Sequence, residues 1–226
     1  ASRLGLAGIP VAAETIAIGT ILQLVRDTGC RVHLTRISSA AGLAMLQRAK
    51  HDGLPVTCDI GVHHLLLTDN DIGYFNPHAR FSPPLRTERD RQALSTAAAS
   101  GLAAICSDHT PVGADEKLLP FGEAKAGATG LEVLLPLTLK WAEAAGVALS
   151  VALARITSAP AEVLGLQSGQ LAVGAAADVC VFDPATVWQL TPEARTSALG
   201  AASASHRGRH GARRSHRRGS APRTRA

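Results

Sequence analysis

The chain has 226 residues, 46% of them hydrophobic and 18% charged, which is enough apolar mass for one large domain or two small ones. No apolar run reaches the length of a membrane-spanning helix, and the opening ASRLGLAGIP lacks the basic start and apolar core of a secretory signal. The net charge of +5 does not mark a basic body: eight arginines and no acid lie between His206 and Ala226, leaving the rest mildly acidic.

In chain order, residues 11–28 (VAAETIAIGTILQLVRDT) have the spacing of an amphipathic helix, with Gly29 as its stop. RVHLTRIS (31–38) reads as a strand, SAAGLAMLQRAKH (39–51) as a helix and PVTCDI (55–60) as a second strand. HHLLLTDND (63–71) leads into a loop that Pro83-Pro84 closes. TERDRQALSTAAAS (87–100) is a third helix and AAICSD (103–108) a third strand. After a loop to about Ala128, residues 130–146 read as a helix that Pro136 should start late or kink. Short helices follow at 150–157 and 160–164, and VCVFD (179–183) is strand-like. Strand–helix alternation predicts right-handed βαβ units and a parallel sheet. Three such strands are too few to close an eight-stranded barrel and would leave open edges.

Cys30, Cys58, Cys106 and Cys180 are scattered without a CxxC pair, in apolar strand-like contexts. That usage predicts buried thiols in a reducing cytoplasm rather than a zinc-thiolate site. From Gly200 onward only seven residue types occur, none of them Leu, Ile, Val or aromatic, which predicts disorder. Such a composition also fits an out-of-frame read, an idea that fails if no other frame past Ala198 restores apolar strands. The tail's arginines would bind nucleic acid only through phosphates and without sequence preference.

Asp108 is the leading candidate for chemistry. An aspartate at the C-terminal end of a buried strand, followed by His109, can bind a metal and accept a proton, or can simply order a turn. Strand alternation would put His33 and Thr35 on one face and Leu34 and Arg36 on the other. His33 reads as a hydrogen-bonded strand residue. Arg36 in an apolar strand requires a carboxylate or an anion. Alternation also predicts that His63 and His64 diverge, one ordering a loop and the other facing solvent. Arg86 stands where it could meet an anionic ligand or cap the following helix.

Taken together, GLAGIPVAAE, RVHLTRISS, VTCDIGVHHLLLTD, PPLR, SDHTP, GATGLE, TSAPAEVLGL and GQLAVGAAADVCVFDP resemble the C-terminal half of a dihydroorotase, a cyclic-amide hydrolase of the amidohydrolase superfamily. The match runs in order from about residue 3 to residue 191. PPLR and HHLLLTD carry the resemblance to dihydroorotase in particular. It implies an α/β fold: the last three strands of a metal-bearing (β/α)8 TIM-type barrel over residues 1–165, a remnant of a small β-domain over 166–191, and an arginine-rich disordered tail over 192–226. Zinc is the metal of the resembled family. By the same resemblance Asp108 would bind metal and act as the general base, the single site residue that carries over.

The other positions depart from the family pattern. Active members carry HxxH on the first of these strands, its second histidine a metal ligand; here the stretch is His33-Leu34-Thr35-Arg36. Arginine has no lone pair to offer and repels a divalent ion at short range. Ser82 stands for a substrate-binding Asn, Val112 for a substrate-binding His, and Lys125-Ala126-Gly127 for Glu-Pro-Gly. No substrate-binding residue carries over, and zinc binding by this chain is not implied. The departures are similar to a branch of inactive dihydroorotase-like subunits of pyrimidine biosynthesis that associate with aspartate carbamoyltransferase. The resemblance therefore implies a cytoplasmic, non-catalytic assembly partner of that enzyme, with self-association left open. The competing expectation is an active dihydroorotase or related zinc-dependent cyclic amidohydrolase.

Overall fold

The computed structural model describes residues 5–175 and 178–186, together with the backbone of Ser215–Arg218. Apart from that four-residue stretch, the tail assigned to 192–226 lies outside the described residues.

Helix α1 spans Val11–Thr28, as its spacing predicts. Pro10 precedes it in extended conformation, and Gly29 ends it at φ 69, where its N–H closes on Val25 O. Strand β1 is Val32–Leu34 and helix α2 is Ala40–His51, capped by Ser39, whose side chain accepts from Gly42 N. Strand β2 is Val56–Gly61. Helix α3, Glu88–Ser100, begins with a reciprocal capping box between Thr87 and Asp90. Strand β3 is Ala104–Cys106. Helix α4 starts late, at Leu134, and runs to Ala145, with Pro136 in its first turn where the missing N–H costs nothing. Helices α5 (Leu149–Ala154) and α6 (Ser158–Leu164) follow. Strands β4 (Asp178–Val181) and β5 (Ser215–Arg218) pair antiparallel.

Strands β1, β2 and β3 form a parallel sheet in that order, with Val32 beside Val56 and Asp59 beside Ala104. One face of the sheet supplies Leu34, Val56, Cys58, Ile60 and Ile105 to a core completed by Ile18, Leu22, Leu46, Leu94 and Trp141 from the helices. His33, Thr57 and Asp59 meet one another on the opposite face. A smaller cluster of Leu67, Ala79, Phe81, Leu85 and Ala128 sits beneath the long loops. Among the described residues no helix is long and apolar enough to cross a membrane.

Two expectations need correction. Strand β1 is three residues long rather than eight, because Arg36 adopts φ 58 and turns the chain. The cysteines are not uniformly buried: Cys58 is, Cys106 is half-buried, and Cys30 and Cys180 are exposed. Cys30 lies just past Gly29, where the chain has left α1 and has not entered β1.

A carboxylate fixes the first strand-to-helix turn. Glu14 of α1 accepts from the N–H of Ser38 at 2.9 Å and of Ser39 at 3.0 Å, and from both hydroxyls. Both serines are fully buried. Gly42 lets this carboxylate in: a Cβ there would stand 2.5 Å from Glu14 Oε1. Arg86 braces the same turn, donating from Nε to Ser38 Oγ at 3.2 Å, and Asp90 receives Ala40 N at 2.9 Å. The GIPVAAE, RISSA and PPLRTERD segments thus meet as one scaffold.

Candidate functional site at the strand ends

The C-terminal ends of the three strands bring together His33, Arg36, Asp59, His64 and Asp108. This is the end of a parallel sheet where loops gather polar groups around a ligand. Asp59 lies at the centre. Its Oδ1 accepts Arg36 N at 2.7 Å and its Oδ2 accepts His33 Nε2 at 3.0 Å. His33 Nδ1 in turn meets Thr57 Oγ1 at 2.7 Å. Cys106 also bonds to Asp59, and burial, reinforced by the charge of Asp59, pushes its thiol well above the ordinary range. The cysteine at this rim is therefore held as the neutral thiol.

Arg36 and Asp108 form an ion pair, Nη1 to Oδ1 at 3.3 Å. The aspartate side chain is only 5% exposed, whereas the arginine is 42% exposed, so the cation covers the carboxylate from the solvent side. Arg36 Nη1 also donates to Ser82 O at 3.0 Å. Both residues occupy the left-handed region, at φ 58 and φ 46, which non-glycine residues adopt only where the surroundings hold them. The expectation that Arg36 requires a carboxylate is met by Asp108. The expected facing is not: β1 ends at Leu34, so Arg36 does not follow its alternation and converges with His33 on Asp59.

The histidine pair also departs from expectation. Strand β2 ends at Gly61, and Val62–Leu65 form a 3-10 turn, so strand alternation does not apply. Both His63 and His64 are buried, against the aromatic ring of Phe81. His64 Nε2 donates to Pro83 O at 3.1 Å, which leaves Nδ1 as the unprotonated nitrogen. Burial holds its pKa below the usual imidazole range, against the pull of Asp108. Gly61 separates the two, since a Cβ there would stand 3.2 Å from His64 Nδ1 and 3.3 Å from Asp108 Oδ2.

Beyond Asp108 the chain turns sharply. His109 Nδ1 accepts from Gly130 N at 3.1 Å and Leu131 N at 3.3 Å, and Thr110 N donates to Ala128 O. The GATGLE segment is the support of the SDHTP turn. Val112 is buried at 1% exposure and offers no polar atom at the position that the resemblance gives to a substrate contact. Arg86 serves the Ser38 turn and Ile9 O, not an anion.

The donor set does not fit a metal by itself. Asp108 is paired with a guanidinium, and Asp59 is occupied by His33, Arg36 N and Cys106. Among the described residues no group of three or more His, Cys, Asp or Glu side chains could hold an ion. Asp59 escaped the sequence reading, though a carboxylate inside the apolar run VTCDIG carries the same signal that singled out Arg36.

One buried cation stands apart. Lys117, 2% exposed, donates from Nζ to Pro77 O at 3.0 Å and Arg80 O at 3.4 Å, tying the loop after β3 to the loop after β2. Burial, with help from the charge of Arg80 and against that of Glu116, lowers its pKa to about 8. An unfolded lysine titrates near ~10.4, so between these values the unfolded chain holds more protons and stability rises with pH. Lys117→Met should therefore flatten the rise in stability between about pH 8 and pH 10, as followed by urea unfolding at a series of pH values. An unchanged slope would remove Lys117 as its source.

Comparisons with known proteins agree with this architecture. The amidohydrolase family pattern matches residues 9–204. A dihydroorotase-like protein of Pseudomonas aeruginosa is 44% identical over 81% of this chain and 44% of its own length. A dihydroorotase of Syntrophotalea carbinolica is 39% identical over 87% of this chain and 47% of its own. The solved L-hydantoinase (dihydropyrimidinase) of Arthrobacter aurescens superposes with a TM-score of 0.75 at 28% identity, over 80% of this chain and 42% of that one. The chain spans about half the length of the relatives it matches, and its parallel sheet is a sector of their TIM-type barrel. Its strand order, its polar strand-end rim and its match over residues 9–204 place the chain in the amidohydrolase family.

Proposed function

We propose that this chain is a dihydroorotase-like component of pyrimidine biosynthesis that does not catalyse ring opening and serves as an assembly partner of aspartate carbamoyltransferase. One observation carries this reading: the guanidinium of Arg36 lies on the carboxylate of Asp108. In the resembled enzymes Asp108 would face zinc and hold the proton taken from the attacking water. Here its Oδ1 accepts from the guanidinium of Arg36, whose positive charge stands where a metal would have to approach. Val112 and Ser82 further remove the polar contacts expected of a substrate site. Similarity to proteins named dihydroorotase-like from Pseudomonas aeruginosa and Pseudomonas putida supports the same reading.

The competing reading, an active cyclic amidohydrolase, draws on the retention of Asp108 at the strand end and on the structural likeness to L-hydantoinase. Mixing the protein with aspartate carbamoyltransferase catalytic chains and measuring sedimentation velocity tests the assembly role. The two are expected to sediment as one larger species at micromolar concentration. Separate boundaries at that concentration would remove the partnership.

A further inference from the structure

At the N-terminal ends of the strands, opposite the Asp108 rim, lies a cavity of about 190 Å³. Arg31, Lys50 and Arg155 line it, together with Thr57, Ser158 and a single acid, Glu162. We propose that this cavity binds a phosphate-class dianion, free or carried on a small metabolite. The inference is independent of whether the rim at Asp108 is catalytic.

Arg31 is held in place. Its Nη2 donates to Glu162 O and Val163 O, both at 2.9 Å, at the C-terminal end of α6, where exposed carbonyls attract a cation. Its charge is thus fixed at the wall without being cancelled, because the bonds go to backbone oxygens. Arg155 is half-buried and its Nε is sequestered from solvent with no hydrogen-bond partner among the described residues. Gly101 makes space for it: a Cβ there would stand 2.8 Å from Arg155 Nη1. Lys50, in the last turn of α2, has no ion pair among the described residues. A buried guanidinium donor without an acceptor is costly, and three cations against one carboxylate leave the cavity positive.

An anion in the cavity balances the charge of these three cations. Three converging cations ask for a ligand with several oxygens and more than one charge, which a phosphate supplies and a monocarboxylate does not. The walls are too polar for an apolar guest, and the volume accommodates a phosphate group with a small carbon body. Parallel barrels place catalysis at the other end of the strands, so this site would report a ligand to the fold rather than transform it.

Isothermal titration of the full chain at constant ionic strength tests the proposal, with inorganic phosphate and ribose 5-phosphate as the two probes. Saturable binding of at least one is expected. Arg155→Gln and Lys50→Gln should each weaken it about tenfold, and Glu162→Gln should tighten it about threefold. Lys50 and Glu162 are exposed, so their variants keep the test valid if Arg155→Gln fails to fold. Equal affinity for both probes would identify free phosphate as sufficient, and tighter binding of the ester would show that the carbon body is seated. No saturable heat with either probe, or affinity unmoved by both Lys50→Gln and Glu162→Gln, would overturn the proposal.

Discussion

Gly130→Ala should be among the most damaging single substitutions in this chain, lowering stability by about 3 kcal/mol or more. A Cβ at that position would stand 1.8 Å from Ser107 O, 2.8 Å from Ser107 C and 3.2 Å from His109 N. All three are backbone atoms, so no side-chain rotation relieves the overlap. The glycine presses against the turn that presents Asp108, and its own N–H is committed to His109 Nδ1. Either the turn moves or the 128–131 segment lifts off it. Thermal unfolding should show a fall in Tm of roughly 6–12 °C for a chain of this size. A variant that melts with the parent would show that the two segments do not pack this closely.

Glu14→Ala should cost about 3 kcal/mol by a different route. The carboxylate satisfies two backbone N–H groups and two hydroxyls, on Ser38 and Ser39, which are fully buried. Removing it leaves buried donors without an acceptor, and the turn out of β1 loses its anchor on α1. Because Arg36 precedes this turn by two residues, the variant should also loosen the Arg36–Asp108 pair. Hydrogen exchange at the Ser38 and Ser39 amides reads the effect locally: protection should fall sharply. Protection retained at parental levels would mean that another group holds the turn.

The helices were the most legible part of the sequence, for local reasons. Gly29 ends α1 in left-handed conformation and Pro136 lies in the first turn of a late-starting α4, as their positions predict, while Ser39 and Thr87, expected as the first residues of their helices, cap them instead. Each of these signals acts within one turn of chain. What remained hidden was set by tertiary packing. Strand β1 shortened because Arg36 turns toward Asp108, 72 residues away. His63 and His64 became buried because the strand stopped at Gly61 and a 3-10 turn replaced alternation. The bracing role of Glu14 was invisible because its partners lie 24 and 25 residues on, in a turn whose geometry the strand pattern does not encode. At the rim, the need of Arg36 for a carboxylate could be read from its apolar context. That the partner is Asp108, the one site residue the resemblance retains, required the structure.

On the proposed function, the Arg36–Asp108 pair closes a site of amidohydrolase descent to chemistry. The most direct test is ring opening of dihydroorotate by the purified protein, alone and mixed with aspartate carbamoyltransferase, with added zinc, comparing the parent with Asp108→Ala. No turnover attributable to this chain is expected, and therefore equal background rates in the two. Turnover by the parent that Asp108→Ala abolishes would contradict this closure, because Asp108 would then be free to act despite its arginine.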